Sequence, residues 1–89
     1  MTVRIHPHAR QRMAERGASE AEVIETITSG SQFDAKFGRV GFRKEFLAQG
    51  LWRGRPYSAK QWDVIAVDDD CWLVITVIIK HFLVPESKS

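Results

Sequence analysis

The apolar residues of this chain change their period at Gly30, and this change limits the folds that the chain can adopt. Before Gly30 they recur three and four residues apart, as on a helix, and after it they alternate with polar residues, as on a strand. The 89 residues suffice for one hydrophobic core. We therefore predict a single α+β domain over residues 1–84, with 85–89 as a frayed tail. Two N-terminal helices would pack on one face of a three- to four-stranded, twisted antiparallel sheet.

Residues that start and stop helices bound two segments before Gly30. Val3 to Ile5 is predicted to form a short strand, after which Pro7 suits the first turn of a helix. Gly17 suits the left-handed residue that ends this helix. Ser19 and Glu22 have the spacing of a capping box, so they predict the start of a second helix that ends near residues 29–30. The buried stripe of this second helix is predicted to consist of Val23, Ile24 and Ile27.

Alternation predicts the strands. A first strand would bury Phe33, Ala35 and Phe37, and a second would bury Val40, Phe42 and Phe46. Residues 48–58 hold Gly50, Gly54 and Pro56, and we predict a long basic loop there.

The last two strands are predicted at 60–67 and 72–83, joined by a turn at 68–70. The strand at 60–67 would place Trp62, Val64 and Ala66 on one face. Nearly all residues of 72–83 are β-branched or aromatic, so we expect a central strand that is buried on both faces.

Positive charge is concentrated in two segments, although the formal net charge is only +2. Residues 4–16 hold four arginines and one acidic residue, and residues 36–60 hold seven lysines and arginines and one acidic residue. The two segments could join into one positive face that binds a polyanion, or each could be ordinary solvated surface.

The compartment follows from cysteine content and hydropathy. Cys71 is the single cysteine, which excludes an internal disulfide and indicates a reducing compartment. The first residues are charged, unlike a secretory leader, and the apolar run at 71–79 is too short to cross a bilayer as a helix. We therefore expect a cytoplasmic protein with no membrane association.

The first predicted helix carries a candidate catalytic set. His8, Arg12 and Arg16 are four residues apart and so lie along one side of it. Imidazole exchanges protons near neutral pH, and RNA cleavage through the 2′-hydroxyl needs a proton taken and a proton given. A guanidinium of this set could hold the scissile phosphate. His8 could instead only cover the first turn of its helix.

Lys60 and Lys80 are further catalytic candidates, because a second cation could stabilise the leaving group. Strand alternation predicts that Lys80 shares a face with Thr76 and Ile78, whereas His81 points to the other face. The pair Lys80-His81 could instead be a polar strand end that stops the hydrophobic run.

Five residues are candidates for binding nucleic acid, namely Arg16 of the first helix and, in the second basic segment, Arg43, Arg53, Arg55 and Tyr57. Arginines interleaved with aromatic residues can hold phosphates while unpaired bases stack. A surface for a protein partner uses the same residue types, so both interpretations stay open. Of the histidines, His6 and His8 stand too close for a helical metal site, and we predict neither a metal nor a cofactor.

The segment His8-Ala9, Arg12-Met13 and Glu15-Arg16-Gly17, followed by Ser19, resembles the opening of the bacterial domain-of-unknown-function family 4258. Members of that family look like H-A-x-x-R-M-x-E-R-G-x-S, then a second helix, then strands that end in an apolar strand with a threonine. Residues 74–77, which contain Thr76, match that ending.

The family is similar to small ribonuclease toxins of the RelE and BrnT type, and related domains occur at the tips of secreted bacterial toxins. The resemblance therefore implies a RelE-like fold, RNA as substrate, and an antitoxin or immunity protein as partner. It supports His8, Arg12, Arg16 and, more loosely, Thr76 as site residues.

These observations favour a small toxin-type, metal-independent endoribonuclease with a site of histidine, arginine and lysine. In this hypothesis His8 is the acid or base, Arg12 and Arg16 bind the phosphate, and Lys60 or Lys80 stabilises the leaving group. The alternatives are a non-catalytic nucleic-acid-binding module and a protein-interaction module of the same fold.

Overall fold

The computed structural model describes residues 2–84, so the predicted tail at 85–89 lies outside the described residues. In chain order the elements are β1 (Val3–Ile5), α1 (Pro7–Arg16), α2 (Glu20–Ser29), β2 (Ser31–Asp34), β3 (Val40–Trp52), β4 (Arg55–Asp68) and β5 (Trp72–Leu83). A single 3₁₀ turn at Lys36–Gly38 joins β2 to β3. Neither helix of this described part is long and apolar enough to cross a membrane.

The five strands form one mixed sheet in the order β1-β5-β4-β3-β2. The α+β class with two helices is confirmed, whereas the prediction of three to four antiparallel strands was wrong. The difference arises at β1, which runs parallel to β5 and pairs Val3 with Trp72 and Ile5 with Val74. The other neighbours in the sheet are antiparallel. β1 therefore covers only the first three residues of the outer edge of β5.

Local signals place both helices as predicted. Gly17 adopts a left-handed conformation (φ 67°) at the end of α1, where its N–H points to the carbonyls of the last turn. The Ser19 side chain accepts from the Glu22 N–H, and the Glu22 carboxylate accepts from the Ser19 N–H, which completes the capping box at the start of α2. Both helices contribute to the same core cluster against the sheet.

The core lies between the helices and one face of the sheet. Trp62, Val64 and Ala66 of β4 form its centre, as predicted, and are fully buried. The helices contribute Ala9, Met13, Val23 and Ile27. The prediction that Ile24 is buried was wrong, because its side chain is 38% exposed. Thr26 is buried on α2 instead, where its hydroxyl donates to the Glu22 carbonyl at 2.8 Å.

The predicted loop at 48–58 is a long β-hairpin. β3 and β4 pair through Trp52 and Arg55, and only Arg53 and Gly54 form the turn. Both have positive φ (52° and 77°), as a two-residue type I′ turn requires. The strand predicted at 60–67 therefore begins earlier, at Arg55.

Two further predictions about the strands needed correction. β2 ends at Asp34, and Phe37 is 87% exposed at a positive φ of 63°, so the strand predicted through residue 37 was too long. β5 has the predicted bounds, but it is not buried on both faces, since Ile78 is 49% exposed. The reason is that both helices lie on the same side of the sheet, which leaves the face that bears Ile78 uncovered by them.

Candidate functional site

A surface cleft of about 320 Å³ lies where the chain leaves β1 and enters α1. We call it the first cleft, and it is lined by His6, His8, Arg39, Ile75 and Thr76. It joins three segments that are distant in sequence: the start of α1, the residue before β3, and the middle of β5. The structure thus brings together His8 and Thr76, two residues that the sequence predicted for the site.

The two histidines of the first cleft are held in a defined relation. His6 is the N-cap of α1, and its Nδ1 accepts a hydrogen bond from the His8 backbone N–H at 3.1 Å. Because Nδ1 is the acceptor, neutral His6 carries its proton on Nε2 and can donate it there. Both side chains are exposed at the cleft. The cleft therefore presents one histidine poised as a donor and a second whose ring makes no hydrogen bond within the described residues.

The opposite wall of the first cleft results from an irregularity in β5. Ile65 pairs with Thr76 but Ala66 pairs with Val74, so Ile75 is an extra residue in the ladder. The extra residue directly follows Val74, the last residue of β5 that pairs with β1. Arg39, just before β3, completes the wall with a guanidinium, and Thr76 adds a hydroxyl. A cation, a hydroxyl and two imidazoles suit a phosphate-bearing ligand.

Arg12 and Arg16 continue from His8 along α1. Arg12 is half-buried, and its guanidinium lies 3.5 Å from the Glu15 carboxylate. Arg16 donates from a guanidinium nitrogen to the Val77 carbonyl of β5 at 2.8 Å. Arg16 thus ties the end of α1 to the sheet, and its other N–H groups remain able to donate because a guanidinium carries five.

A second cleft, of about 400 Å³, lies at the other end of α1. It is lined by Glu15, Arg16, Trp52, Arg53 and Ile79. The last two residues of α1 form one wall, the tip of the β3–β4 hairpin forms the other, and β5 supplies the floor. The tip can take part because the ladder of β3 and β4 is irregular between Leu47 and Gly50, where strands bend.

An aromatic cluster supports the hairpin wall of the second cleft. His81 stacks on Trp52 with ring centroids 4.9 Å apart and an interplanar angle of 17°, and it meets Tyr57 edge-on at 4.8 Å. Lys60 pairs with His81 across the strands, and its Nζ lies 5.6 Å from the centre of the Tyr57 ring. Gly50 makes room for Tyr57, because a Cβ there would lie 2.6 Å from the tyrosine oxygen.

The environment of His81 gives the stability of the protein a pH dependence. Burial lowers the pKa of His81 from its ordinary value of 6.5, and the charge of Lys60 lowers the pKa further. The unfolded chain therefore binds a proton at this residue more readily than the folded protein does. Stability from this group is fully present above pH 6.5 and declines as the pH falls from 6.5 towards the folded pKa.

We expect a His81→Gln variant, which carries no titratable group there, to lose less thermal stability on acidification than the wild type does. The measurement is the Tm of both proteins at about pH 7.5 and pH 5, either side of the ordinary histidine pKa. An equal loss in both proteins would show that His81 does not couple folding to pH.

The remaining predicted residues do not join the first cleft. Lys60 belongs to the aromatic cluster, level with His81, which is five residues beyond Thr76 along β5, or about 16 Å at 3.3 Å per residue. Lys80 shares its sheet face with Thr76 and Ile78, as the alternation predicted, but it is four residues beyond Thr76 along β5, or about 13 Å at 3.3 Å per residue. Lys60 and Lys80 therefore do not converge with His8 on one phosphate.

The predicted nucleic-acid contacts are also divided. Arg53 and Tyr57 lie at the hairpin end, and Arg55 pairs there with Trp52. Arg43 instead forms a two-fold ion pair with Asp63 (2.8 and 3.0 Å), and this hydrogen-bonded carboxylate raises the pKa of Arg43. Because its charge is matched by Asp63, Arg43 adds little to a positive surface.

Two polar residues of the first cleft were not predicted as site residues. His6 was considered only as a metal ligand, although its place immediately before a proline that starts a helix is a usable signal for a capping side chain. Arg39 reaches the cleft only through the pairing of β3, β4 and β5, for which no local pattern exists. Within residues 2–84 there is no group of three or more His, Cys, Asp or Glu side chains arranged to hold a metal ion.

Comparison with known proteins identifies one family. The family model described as "Domain of unknown function (DUF4258)" matches residues 5–79, which span both helices and most of the sheet, including both clefts. No curated protein and no solved structure matches the chain.

Proposed function

The chain belongs to domain-of-unknown-function family 4258, and for this member we propose a metal-independent endoribonuclease activity centred on the first cleft. The observation that carries the proposal is the meeting of His6, His8, Arg39 and Thr76 in one cleft. Two imidazoles beside a guanidinium and a hydroxyl are the groups that phosphodiester transfer to a 2′-hydroxyl requires. The RelE-like kinship, RNA as ligand, and an antitoxin or immunity protein as partner belong to the same proposal.

Each of the four polar residues of the cleft has a role in this reaction. His8 takes the proton of the ribose 2′-hydroxyl as its oxygen attacks the adjacent phosphorus. Arg39 and the Thr76 hydroxyl bind the non-bridging oxygens and offset the charge that develops on them. The bond from phosphorus to the 5′-oxygen breaks, and the imidazolium form of His6, whose protonated Nδ1 has given up the cap hydrogen bond with the His8 N–H, gives the leaving oxygen a proton from Nε2. The products are a 2′,3′-cyclic phosphate and a 5′-hydroxyl, with no net change in protons.

This assignment changes the roles that the sequence suggested for several side chains. Arg12 and Arg16 would guide the RNA strand along α1 instead of holding the scissile phosphate, since neither lines the first cleft. Lys60 and Lys80 would take no part in the chemistry. His6 fills the place of the second proton-transfer group.

Expression in a bacterial host from a tightly controlled promoter tests the activity. The wild-type protein should arrest growth and fragment total RNA on a gel, and a His8→Ala variant at the same protein level should do neither. Normal growth and intact RNA with folded wild-type protein would contradict the proposal.

A non-catalytic RNA-binding module is the second candidate, and the aromatic cluster at the hairpin favours it. Trp52, Tyr57 and His81 are packed together beside Lys60 and Arg53, a combination of rings and cations suited to single-stranded RNA. Salt-sensitive binding of RNA without formation of product would favour this candidate over the enzyme.

A further inference from the structure

The second cleft has the composition of a binding site for a flat, polar ring. Its floor is the half-buried Ile79, and one wall is the indole of Trp52, which is 38% exposed. The Arg53 guanidinium lies 4.5 Å from the centre of the Trp52 ring. Indole and guanidinium surfaces are those on which unpaired bases stack in RNA-binding proteins.

The wall formed by Trp52 is fixed in place before any ligand binds. Its ring stacks on His81, which in turn packs against Tyr57, and the Tyr57 ring sits over Gly50. The turn that carries Arg53 is closed by two consecutive residues with positive φ. A wall of this kind loses little side-chain freedom on binding, so more of the stacking energy appears as affinity.

The other wall supplies hydrogen-bonding groups for the edge of such a ring. The Glu15 side chain is 50% exposed, with one carboxylate oxygen 3.5 Å from Arg12. A carboxylate accepts hydrogen bonds only, so it favours a base whose edge donates, such as the exocyclic amino group of cytosine. Uracil, with a carbonyl oxygen at the same position, would face the carboxylate with a second acceptor.

The position of the second cleft suits a nucleotide on the same strand as the scissile bond. His8 and Arg16 are eight residues apart on α1, or about 12 Å at 1.5 Å per residue. That distance corresponds to about three or four nucleotides of a strand whose bases stay stacked at the 3.4 Å spacing of a duplex strand. Arg12 lies between the two clefts on α1 and could neutralise a phosphate of the RNA strand that joins them.

We infer that the second cleft binds an unpaired RNA base that carries an exocyclic amino group, three or four nucleotides from the bond cleaved in the first cleft. The inference rests on the proposed function in taking RNA as the ligand. It adds a preference for single strands and for cytosine over uracil at one position. The Arg53 guanidinium, supported by the Trp52 ring, stacks on the face of the base, and the Glu15 carboxylate accepts from its edge.

Binding of 2′-O-methyl RNA hexamers of cytosine and of uracil tests this inference, because they lack the 2′-hydroxyl and cannot be cleaved. Wild-type protein should bind the cytosine hexamer about 10-fold or more tightly than the uracil hexamer, as expected for one charge-assisted hydrogen bond. Trp52→Ala should weaken binding of both hexamers by about 5-fold or more, the loss of one stacked base. Glu15→Gln should abolish the preference for cytosine.

Matched variants distinguish the contribution of the second cleft to RNA binding from that of the rest of the hairpin. Leu51→Ala removes a neighbouring side chain that is 73% exposed and does not line the cleft, and it should leave both affinities unchanged. Arg53→Gly keeps the positive φ of the turn and should weaken binding even if Trp52→Ala disturbs the hairpin. Equal affinity for both hexamers, or equal effects of Leu51→Ala and Trp52→Ala, would overturn the inference.

The result is independent of the cleavage assay. A protein that cleaves RNA but binds both hexamers equally would lack this base-binding site and would still be a ribonuclease. A protein that binds the cytosine hexamer through Trp52 without cleaving RNA would have the base-binding site but not the activity.

Discussion

Replacing His8 with alanine is expected to lower the rate of RNA cleavage by about 10²- to 10⁴-fold, the contribution of one positioned acid or base. His8→Gln should lose as much, because an amide keeps most of the volume but cannot act as a general acid or base near neutral pH. The measurement is the single-turnover rate of the purified variants on a short unpaired RNA.

Arg10→Ala is the matched control for His8→Ala. Arg10 lies on the same helix, is exposed, and forms an ion pair with Glu20 at 3.3 Å. Its removal should change the rate less than about 2-fold, as for an exposed ion pair of small energetic weight. A similar loss in Arg10→Ala and His8→Ala would mean that α1 matters as a whole and that His8 has no separate chemical role.

Replacing Trp62 with alanine is expected to destabilise the fold by about 3–5 kcal/mol, the usual cost of removing a buried aromatic side chain. Trp62 is 0% exposed and packs edge-on against Phe46 with ring centroids 5.9 Å apart. Small domains have about 5–15 kcal/mol of stability in total, so this substitution removes a large part of it. We expect the variant to be largely unfolded at temperatures near 37 °C. Urea unfolding followed by circular dichroism measures the loss.

A Trp62→Phe variant tests whether the indole N–H of Trp62 contributes to stability. The buried Nε1 of Trp62 has no hydrogen-bond partner among the described residues, so the loss of this N–H sacrifices no bond. The phenylalanine keeps much of the apolar contact, and we expect it to cost clearly less than alanine does. Equal losses in the two variants would indicate that the indole N–H is bonded in the folded protein.

The helices could be predicted because their signals are local. Gly17 and the pair Ser19 and Glu22 act within one turn of the backbone, and each has the predicted geometry. The alternation at Trp62, Val64 and Ala66 is similarly direct, because one sheet face meets both helices and the other does not. Such a pattern predicts the buried face of a strand or helix wherever the burial does not depend on how strands pair.

The hairpin at 48–58 could not be predicted from its residue types. Gly50, Gly54 and Pro56 usually end strands, but here Gly50 sits beneath the Tyr57 ring, Gly54 belongs to the type I′ turn, and Pro56 lies next to the start of β4. Each of these uses depends on the partner strand. The same holds for Phe37, whose apolar character suggested burial but whose ring is largely exposed and lies beneath the Arg39 guanidinium.

The candidate site could be predicted only in part, because some of its residues come together only when the strands pair. The motif around His8 identified one wall of the first cleft, and the resemblance identified Thr76. Arg39 could not be found, since three antiparallel strands must pair before it lies near β5. The distance between His8 and the lysines likewise depends on the register of β4 and β5, which the sequence does not encode locally.

The most direct measurement is the chemistry of the RNA ends made by the purified protein in excess EDTA. We expect cleavage that EDTA does not reduce, with a 2′,3′-cyclic phosphate on one fragment and a 5′-hydroxyl on the other. Those ends require the 2′-hydroxyl as nucleophile and need no metal ion, as the two histidines of the first cleft would provide. Loss of cleavage in EDTA, or fragments that carry a 5′-phosphate, would contradict the proposed mechanism.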